Sequence, residues 1–535
     1  MDPGLYPGDV MVATAERFPT VFYRALAAVL PGTEAIPAAF FVLYLVAVAA
    51  TLAGAWRIGR WAGGPAAGAL ALLFAFPVRI GLAGESLYRV AFSHSHLASA
   101  LAIWAMVWFL EGRRVLPLLV LSLGAYNHLL YSVYVLVPMV LVVLWEAREA
   151  GRRRTLQRLA AAILPLLPLA AWTLAQRAPM TPEWLALLRL RSAHHSFPSA
   201  FAEDLPQAAA LLALSALALS RLGLDRRRLV AFFLLGTALQ FVVGTLFTEI
   251  WPVKAVLQYQ PHRAWRFLML LLQGVVAAGV VAGWREGGLG RTIAVATGVV
   301  MFTPGLEPLL AVVVLLQAAA GRPTPAPWAR LLAAGVLVVV TGWADREVVW
   351  THPADTLPRA LNATVLGAAA LAVVIAVGRS SPRTRTAGTI AAAVLAVGWL
   401  TPKAYASHRQ RWESGAWRAA QNWVRVNTPR SAVLLSPPHE AGFRVFSERT
   451  IVGEWKDGTQ QYFDDAFVRE WGERMEALGD DYEALGEDRL LELARRYGAS
   501  YIVLPRQPPR RGLALVYRNP SWAVYRTERV RAPAP

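Results

Sequence analysis

The chain has 535 residues, 56% hydrophobic and only 16% charged, with a net charge of +18. Soluble domains carry roughly 25% charged residues, so this composition excludes an ordinary soluble globule and points to a membrane protein. Nucleic-acid binding is rejected too: only Lys254, Lys403 and Lys456 are lysines, and the arginines cluster in short runs between apolar blocks. The absence of cysteine rules out disulfides, thiolate zinc sites and cysteine nucleophiles.

Met1 to Val10 is polar and shows no cleavable signal pattern. Ala13 to Leu30 reads as an amphipathic helix suited to a membrane surface. Apolar blocks then recur near 36–55, 65–83, 96–111, 115–127, 129–146, 159–176, 206–221, 229–248, 265–284, 290–303, 307–320, 329–343, 361–378 and 387–403. They predict a polytopic α-helical membrane protein of about 12–14 membrane helices. Leu116 to Trp145 and Ile293 to Ala320 exceed one span but fall short of two. Each is therefore read as two short helices, broken at Asn127-His128 and at Pro304-Gly305.

Basic clusters fall in alternate loops: Arg57/Arg60, Arg113/Arg114, Arg148 to Arg158, Arg221 to Arg228, Arg285/Arg291, Arg322/Arg330 and Arg379 to Arg385. Positive charge collects on the cytoplasmic side, which places both termini outside. The opposite loops are Met1 to Ala35, Gly84 to Ser95, Arg177 to Leu205, Thr248 to Ala264 and Ala344 to Ala360. They hold most of the histidines, so any chemistry is expected to face outward. After Lys403 the charge density rises and the pattern changes. Ala432 to Ser436 and Ser500 to Pro505 read as buried strands, Phe463 to Leu478 and Glu487 to Tyr497 as helices, and Leu513 to Tyr517 with Trp522 to Tyr525 as a hairpin. The expected division is a first outer loop at 1–35, a helical membrane domain at 36–404 and an extracytoplasmic soluble α/β domain at 405–535.

Several groups of polar residues are candidates for chemistry. Asp2 and Asp9 stand in DPGLYPGD, where a carboxylate could deprotonate a hydroxyl acceptor, or simply shape a turn. Arg189, Arg191, His194 and His195 form RLRSAHHSFP, a set of donors suited to a phosphate or pyrophosphate head group. The plainer reading is a loop that meets lipid phosphates. Adjacent histidines with no carboxylate pair nearby make a poor zinc site. Lys254, His262 and Arg263 repeat the cationic chemistry in another outer loop, and His128 lies at a helix break. Charged and aromatic residues from His439 to Lys456 fit either a ligand-facing edge or a surface that docks the soluble domain.

DPGLYPGD, RSAHHSFP, the stretch from WRAAQNWVRVNTPRSAVLLSPP through GFRVFSERTIVGEWK, and the closing YGASYIVLP and LALVYRNPSWAVYR together resemble bacterial GT-C-type glycosyltransferases, and specifically a membrane-protein branch near them with no assigned activity. The resemblance implies a glycosyltransferase of the bacterial inner (cytoplasmic) membrane. It would move a sugar from a polyprenyl-phosphate-linked donor to an envelope glycan or protein at the extracytoplasmic face. It puts the base role on Asp9 or Asp2 and the donor phosphate near His194, His195, Arg191, Lys254 or Arg263. It names no certain cofactor and leaves a divalent cation open. Such proteins usually carry a transmembrane helix before this loop, whereas this chain begins inside it; one more helix would put the start in the cytoplasm. Two other readings remain: a transporter or flippase of a lipid-linked or anionic solute, and a non-catalytic envelope assembly protein.

Overall fold

The computed structural model describes residues 3–14, 17, 20–75, 81–87, 92–175, 179–302, 415–506 and 512–527. Asp2, Pro304-Gly305 and the expected membrane segments from 307 to 403 lie outside the described residues. The described chain is mostly helical. In order, the helices are α1 (Val10–Ala13), α2 (Phe22–Val29), α3 (Ile36–Gly63), α4 (Pro65–Ala75), α5 (His94–Leu110), α6 (Val115–Gly124), α7 (Leu129–Trp145), α8 (Ala147–Ala150), α9 (Arg152–Ile163) and α10 (Leu167–Ala175). They continue with α11 (Pro182–Ser196), α12 (Leu205–Leu219), α13 (Leu224–Thr245), α14 (Lys254–Tyr259), α15 (Trp265–Glu286) and α16 (Gly288–Phe302). Each of the first ten expected apolar segments overlaps one or more of these helices. Four helical stretches, Ile36–Gly63, Arg152–Ala175, Leu224–Ile250 and Lys254–Glu286, are long and apolar enough to cross a membrane. A bent pair, Pro182–Ala202 with Gln207–Leu219, makes up to five.

The chain separates into two compact units. The larger, Leu43–Leu169 with His194–Lys403, is built around α15. The most apolar part of Lys254–Glu286, the stretch that contains α15, is 89% buried, against 11% for that of Arg152–Ala175, so α15 is packed round by protein and the latter is largely exposed. Small residues let neighbouring helices come close. At Gly59 a Cβ would meet the Ala67 carbonyl at 2.4 Å, and at Gly236 it would meet Pro138 Cα at 2.7 Å, so α3 against α4 and α13 against α7 depend on the missing side chains. The break expected at Asn127-His128 is present as the turn between α6 and α7. His128 caps α7 through Nδ1, which accepts from the Tyr131 amide at 3.5 Å. After Thr245, α13 loosens into a π-helical turn, Leu246–Ile250.

The second unit comprises Met1–Val42, Ala170–Ala193 and Ala404–Pro535. Helices α17 (Gly415–Asn427), α18 (Phe443–Ser447), α19 (Asp465–Leu478) and α20 (Glu487–Tyr497) accompany strands β1 (Val433–Leu435), β2 (Thr450–Ile451), β3 (Tyr501–Pro505), β4 (Ala514–Arg518) and β5 (Trp522–Arg526). The sheet order is β2-β1-β3-β5-β4. β1 runs parallel to β2 and β3, and β5 is antiparallel to β3 and β4. Alternate residues of a strand face opposite sides, and Tyr501 to Leu504 are all buried, so both faces of β3 are covered. Trp417, Ala420, Gln421 and Val424 of α17 line one helical face, and Trp417 and Val424 join Leu434, Phe443, Ile451, Val503 and Val524 in the core. Helix α20 begins with Glu487 and Asp488, ends with Arg495 and Arg496, and stops at left-handed Gly498 (φ +66°), the charge order and stop signal a helix favours. The β4–β5 hairpin turns at Asn519, whose Oδ1 accepts from the Ser521 and Trp522 amides.

Candidate functional site

The larger unit holds a buried polar centre around Glu85. The chain reaches it through a tight turn, Leu82–Gly84, closed by a backbone bond from Gly81 N to Glu85 O at 2.6 Å. Ala83 takes a left-handed conformation there (φ +60°), and Gln260 does so opposite (φ +51°). Side chains with a Cβ seldom adopt that region, and such strain gathers at functional sites. Glu85 is completely buried. Its Oε1 accepts from Arg263 Nε at 2.6 Å and its Oε2 from the Tyr131 hydroxyl at 3.0 Å. Arg266 Nε lies 2.9 Å from Oε2, an ion-pair distance, but its N–H points off the oxygen and makes no hydrogen bond. The Arg266 guanidinium also lies over the Tyr131 ring, 4.5 Å from its centre.

Arg263, in the 3-10 turn Pro261–Ala264, and Arg266, in the first turn of α15, are three residues apart, and both reach Glu85. Arg263 Nη1 donates to Gln260 Oε1 at 2.5 Å, and the Gln260 backbone is fixed by the Tyr134 hydroxyl at 2.8 Å. Histidines surround this core. His128 packs 4.2 Å from the Tyr131 ring and 5.4 Å from His94. His195 Nδ1 lies 2.7 Å from the Ala83 carbonyl, so its proton sits on Nδ1 and Nε2 is left with a lone pair. Among the described residues, two guanidinium groups thus share one carboxylate, and the centre carries a surplus positive charge in a buried setting.

The structure brings together Arg263, His195 and His128 from the sequence candidates, and adds Glu85, Arg266 and Tyr131. The signal for Arg266 was its i, i+3 spacing from Arg263; for Glu85 it was a lone carboxylate between two apolar blocks. The other candidates lie elsewhere. His194 is exposed, its ring tilted against that of His195 with centroids 4.0 Å apart. His262 is buried between Phe201 and Phe241, with Nε2 3.2 Å from the Thr245 hydroxyl. Lys254 begins α14 and is half-buried. Arg189 and Arg191 belong to the other unit. Arg189 is exposed on α11, whereas Arg191 donates to the Trp455 carbonyl at 3.1 Å and lies over the Trp455 ring. Trp184 likewise donates to the Gln461 carbonyl at 2.9 Å, so this part of α11 serves to dock within its own unit.

Asp9, expected as a base or as a former of the turn, lies in the second unit. It is 2% exposed and caps α1, with Oδ1 accepting from the Met11 and Val12 amides. Its Oδ2 accepts from Arg444 Nε at 2.6 Å and from the Ile451 amide at 3.4 Å. Both oxygens are thus occupied, as the cap of α1 and as the partner of Arg444. Arg444 also makes a bidentate pair with Asp457, at 2.8 and 2.7 Å. Glu454 completes the cluster, accepting from the Gly442 amide at 2.8 Å. Burial pushes the Glu454 carboxyl up to about 7, aided by the Asp457 charge and opposed by Arg444. Burial raises Asp457 as well, against the pull of Arg444. Burial works against the charge on Arg444, yet Asp457 and Asp9 hold its pKa above the usual arginine value. Among the described residues no group of three or more His, Asp or Glu side chains is arranged to hold a metal ion.

Comparison with known families adds one match. Residues 415–478 fit a family model described as a domain of unknown function, DUF6798. The match covers α17 through α19, and with them Arg444, Glu454 and Asp457. No curated protein matches the chain.

Proposed function

We propose that the protein is a multi-pass membrane glycosyltransferase that uses a lipid-phosphate-linked sugar donor, with the donor phosphate seated at Arg263 and Arg266. The observation that carries this reading is the surplus positive charge buried beside Glu85. An uncompensated buried charge costs several kcal/mol, and a phosphate that pairs with Arg266 removes that cost. Guanidinium groups suit phosphate oxygens through paired N–H donors. The apolar helices and the alternation of arginine-rich loops support insertion in the bacterial inner membrane with the C-terminal domain outside. In the transfer, the bond between the sugar anomeric carbon and the phosphate oxygen breaks and a bond from an acceptor hydroxyl oxygen forms. The phosphate leaves on its lipid, stabilised by the fixed guanidinium charges. The acceptor proton goes to a base, a role this reading gives to the lone pair of His195 Nε2.

The test is retention of polyprenyl phosphate by purified protein in nanodiscs. Arg266→Gln is expected to weaken retention about tenfold or more, the value of one strong charge-assisted contact. Arg189→Gln, on an exposed helical face, serves as the control. Equal retention by Arg266→Gln and the native protein refutes the seat.

A further inference from the structure

We propose that the Asp9, Arg444, Asp457 and Glu454 cluster is a proton-dependent latch, which holds the N-terminal arm (residues 3–14) on the C-terminal α/β domain and loosens as pH rises. The arm and its partners lie within one compact unit but are separated by 435 residues in the chain. Polar contacts of residues 6–9 across this seam lie at or beside the cluster, and further along the chain Arg17 pairs with Asp464. Asp9 pairs with Arg444, the Tyr6 hydroxyl donates to the Arg444 carbonyl at 3.2 Å, and the Thr450 hydroxyl donates to the Pro7 carbonyl at 3.0 Å. The seam is buried: Tyr6, Asp9, Arg444, Thr450, Glu454 and Asp457 are each 7% exposed or less.

Charge counting sets the behaviour. Three carboxylates face one guanidinium, so full ionisation would leave two uncompensated negative charges in a buried space, a costly state. Holding a proton lowers that cost, and Glu454 is the carboxylate without a direct bond to Arg444. The other titratable and charged groups around it do not supply a second cation at the cluster. Glu448, which follows α18, adds negative charge near Tyr6. Arg474 of α19 is committed to the Val452 carbonyl and Glu470. His439 pairs with Asp480, and Arg449 donates to Thr428 and to backbone carbonyls.

The sign follows from linkage. Undocking the arm removes the Asp9 charge and admits water, both of which let Glu454 ionise more readily. The docked form therefore binds more protons between the ordinary Glu range and about 7, and docking weakens as pH rises through that window.

The experiment is hydrogen exchange at the Met11 and Val12 amides, which donate to Asp9 Oδ1, in the full chain in detergent. Protection, corrected for intrinsic exchange, is expected to fall about tenfold from about pH 5.5 to about pH 8.5, the effect of one pKa unit of linkage. Glu454→Gln, a neutral stand-in for the protonated acid, is expected to keep protection high and flat with pH. Protection that does not change with pH in the native chain overturns the latch. So does an unchanged pH dependence in Glu454→Gln. Should that variant fail to fold, the protonated-carboxyl infrared band of the native chain, followed across the same range, decides the matter: its disappearance in step with Met11 protection supports the latch, and its absence at low pH overturns it.

Discussion

Replacing Arg444 by methionine removes the one cation of the α/β unit's buried cluster while keeping most of its apolar length. Arg444 is 4% exposed and makes three charge-assisted bonds of 2.6 to 2.8 Å to Asp9 and Asp457. Breaking a buried pair by removing one partner costs about 3–5 kcal/mol, because the charge left behind is uncompensated. Here two bonded carboxylates and Glu454 are left together, so the upper half of that range applies near neutral pH, about 4 kcal/mol. In acid, protonation of the carboxylates returns part of it. The assay is native-state hydrogen exchange at Val503, in the middle of β3 and fully buried, which opens when the domain opens. Its exchange is expected to accelerate about a thousandfold near neutral pH, the equivalent of about 4 kcal/mol, and less in acid. A change of less than about tenfold near neutral pH would mean that Arg444 is not the electrostatic keystone of this unit, and the charge counting behind the latch would fail with it.

Two further outcomes test other parts of the reading. Glu85→Ala leaves Arg263 and Arg266 facing each other with no carboxylate among the described residues, and is expected to lower the thermal stability of the detergent-solubilised protein by about 3–5 kcal/mol. Added formate should restore part of the loss by occupying the empty seat; a variant as stable as the native protein would remove Glu85 from the centre. The chain lacks cysteine, so a single introduced thiol reports sidedness without background. Asp488→Cys, at the exposed start of α20, is expected to react with a membrane-impermeant maleimide on intact spheroplasts. Labelling only after lysis would place the C-terminal domain in the cytoplasm and refute the proposed orientation.

Much of the secondary structure was legible because its signals are local. Apolar runs between arginine clusters marked the helices, and the short strands around Val433 and Tyr501 stood out between amphipathic stretches. The break before α7 was legible too, since a block of that length cannot form two full spans. The sites were far less so. Asp9 stands with Asp2 in a turn-forming stretch, and nothing nearby in the chain announces Arg444 as its partner. RLRSAHH read as one cationic cluster, yet the fold commits Arg191 to Trp455 in one unit and His195 to Ala83 in the other. The left-handed turn at Ala83 had no signature, because alanine seldom accepts that conformation.

By itself, the amino-acid order determined where the helices and strands form and which loops carry charge, since hydrophobic periodicity and turn chemistry act over a few residues. Tertiary structure alone decided which charges meet: Glu85 with Arg263, 178 residues away, and Asp9 with Arg444. A buried ion survives only opposite a partner, and that partner is supplied by whatever the fold brings alongside, at any distance along the chain.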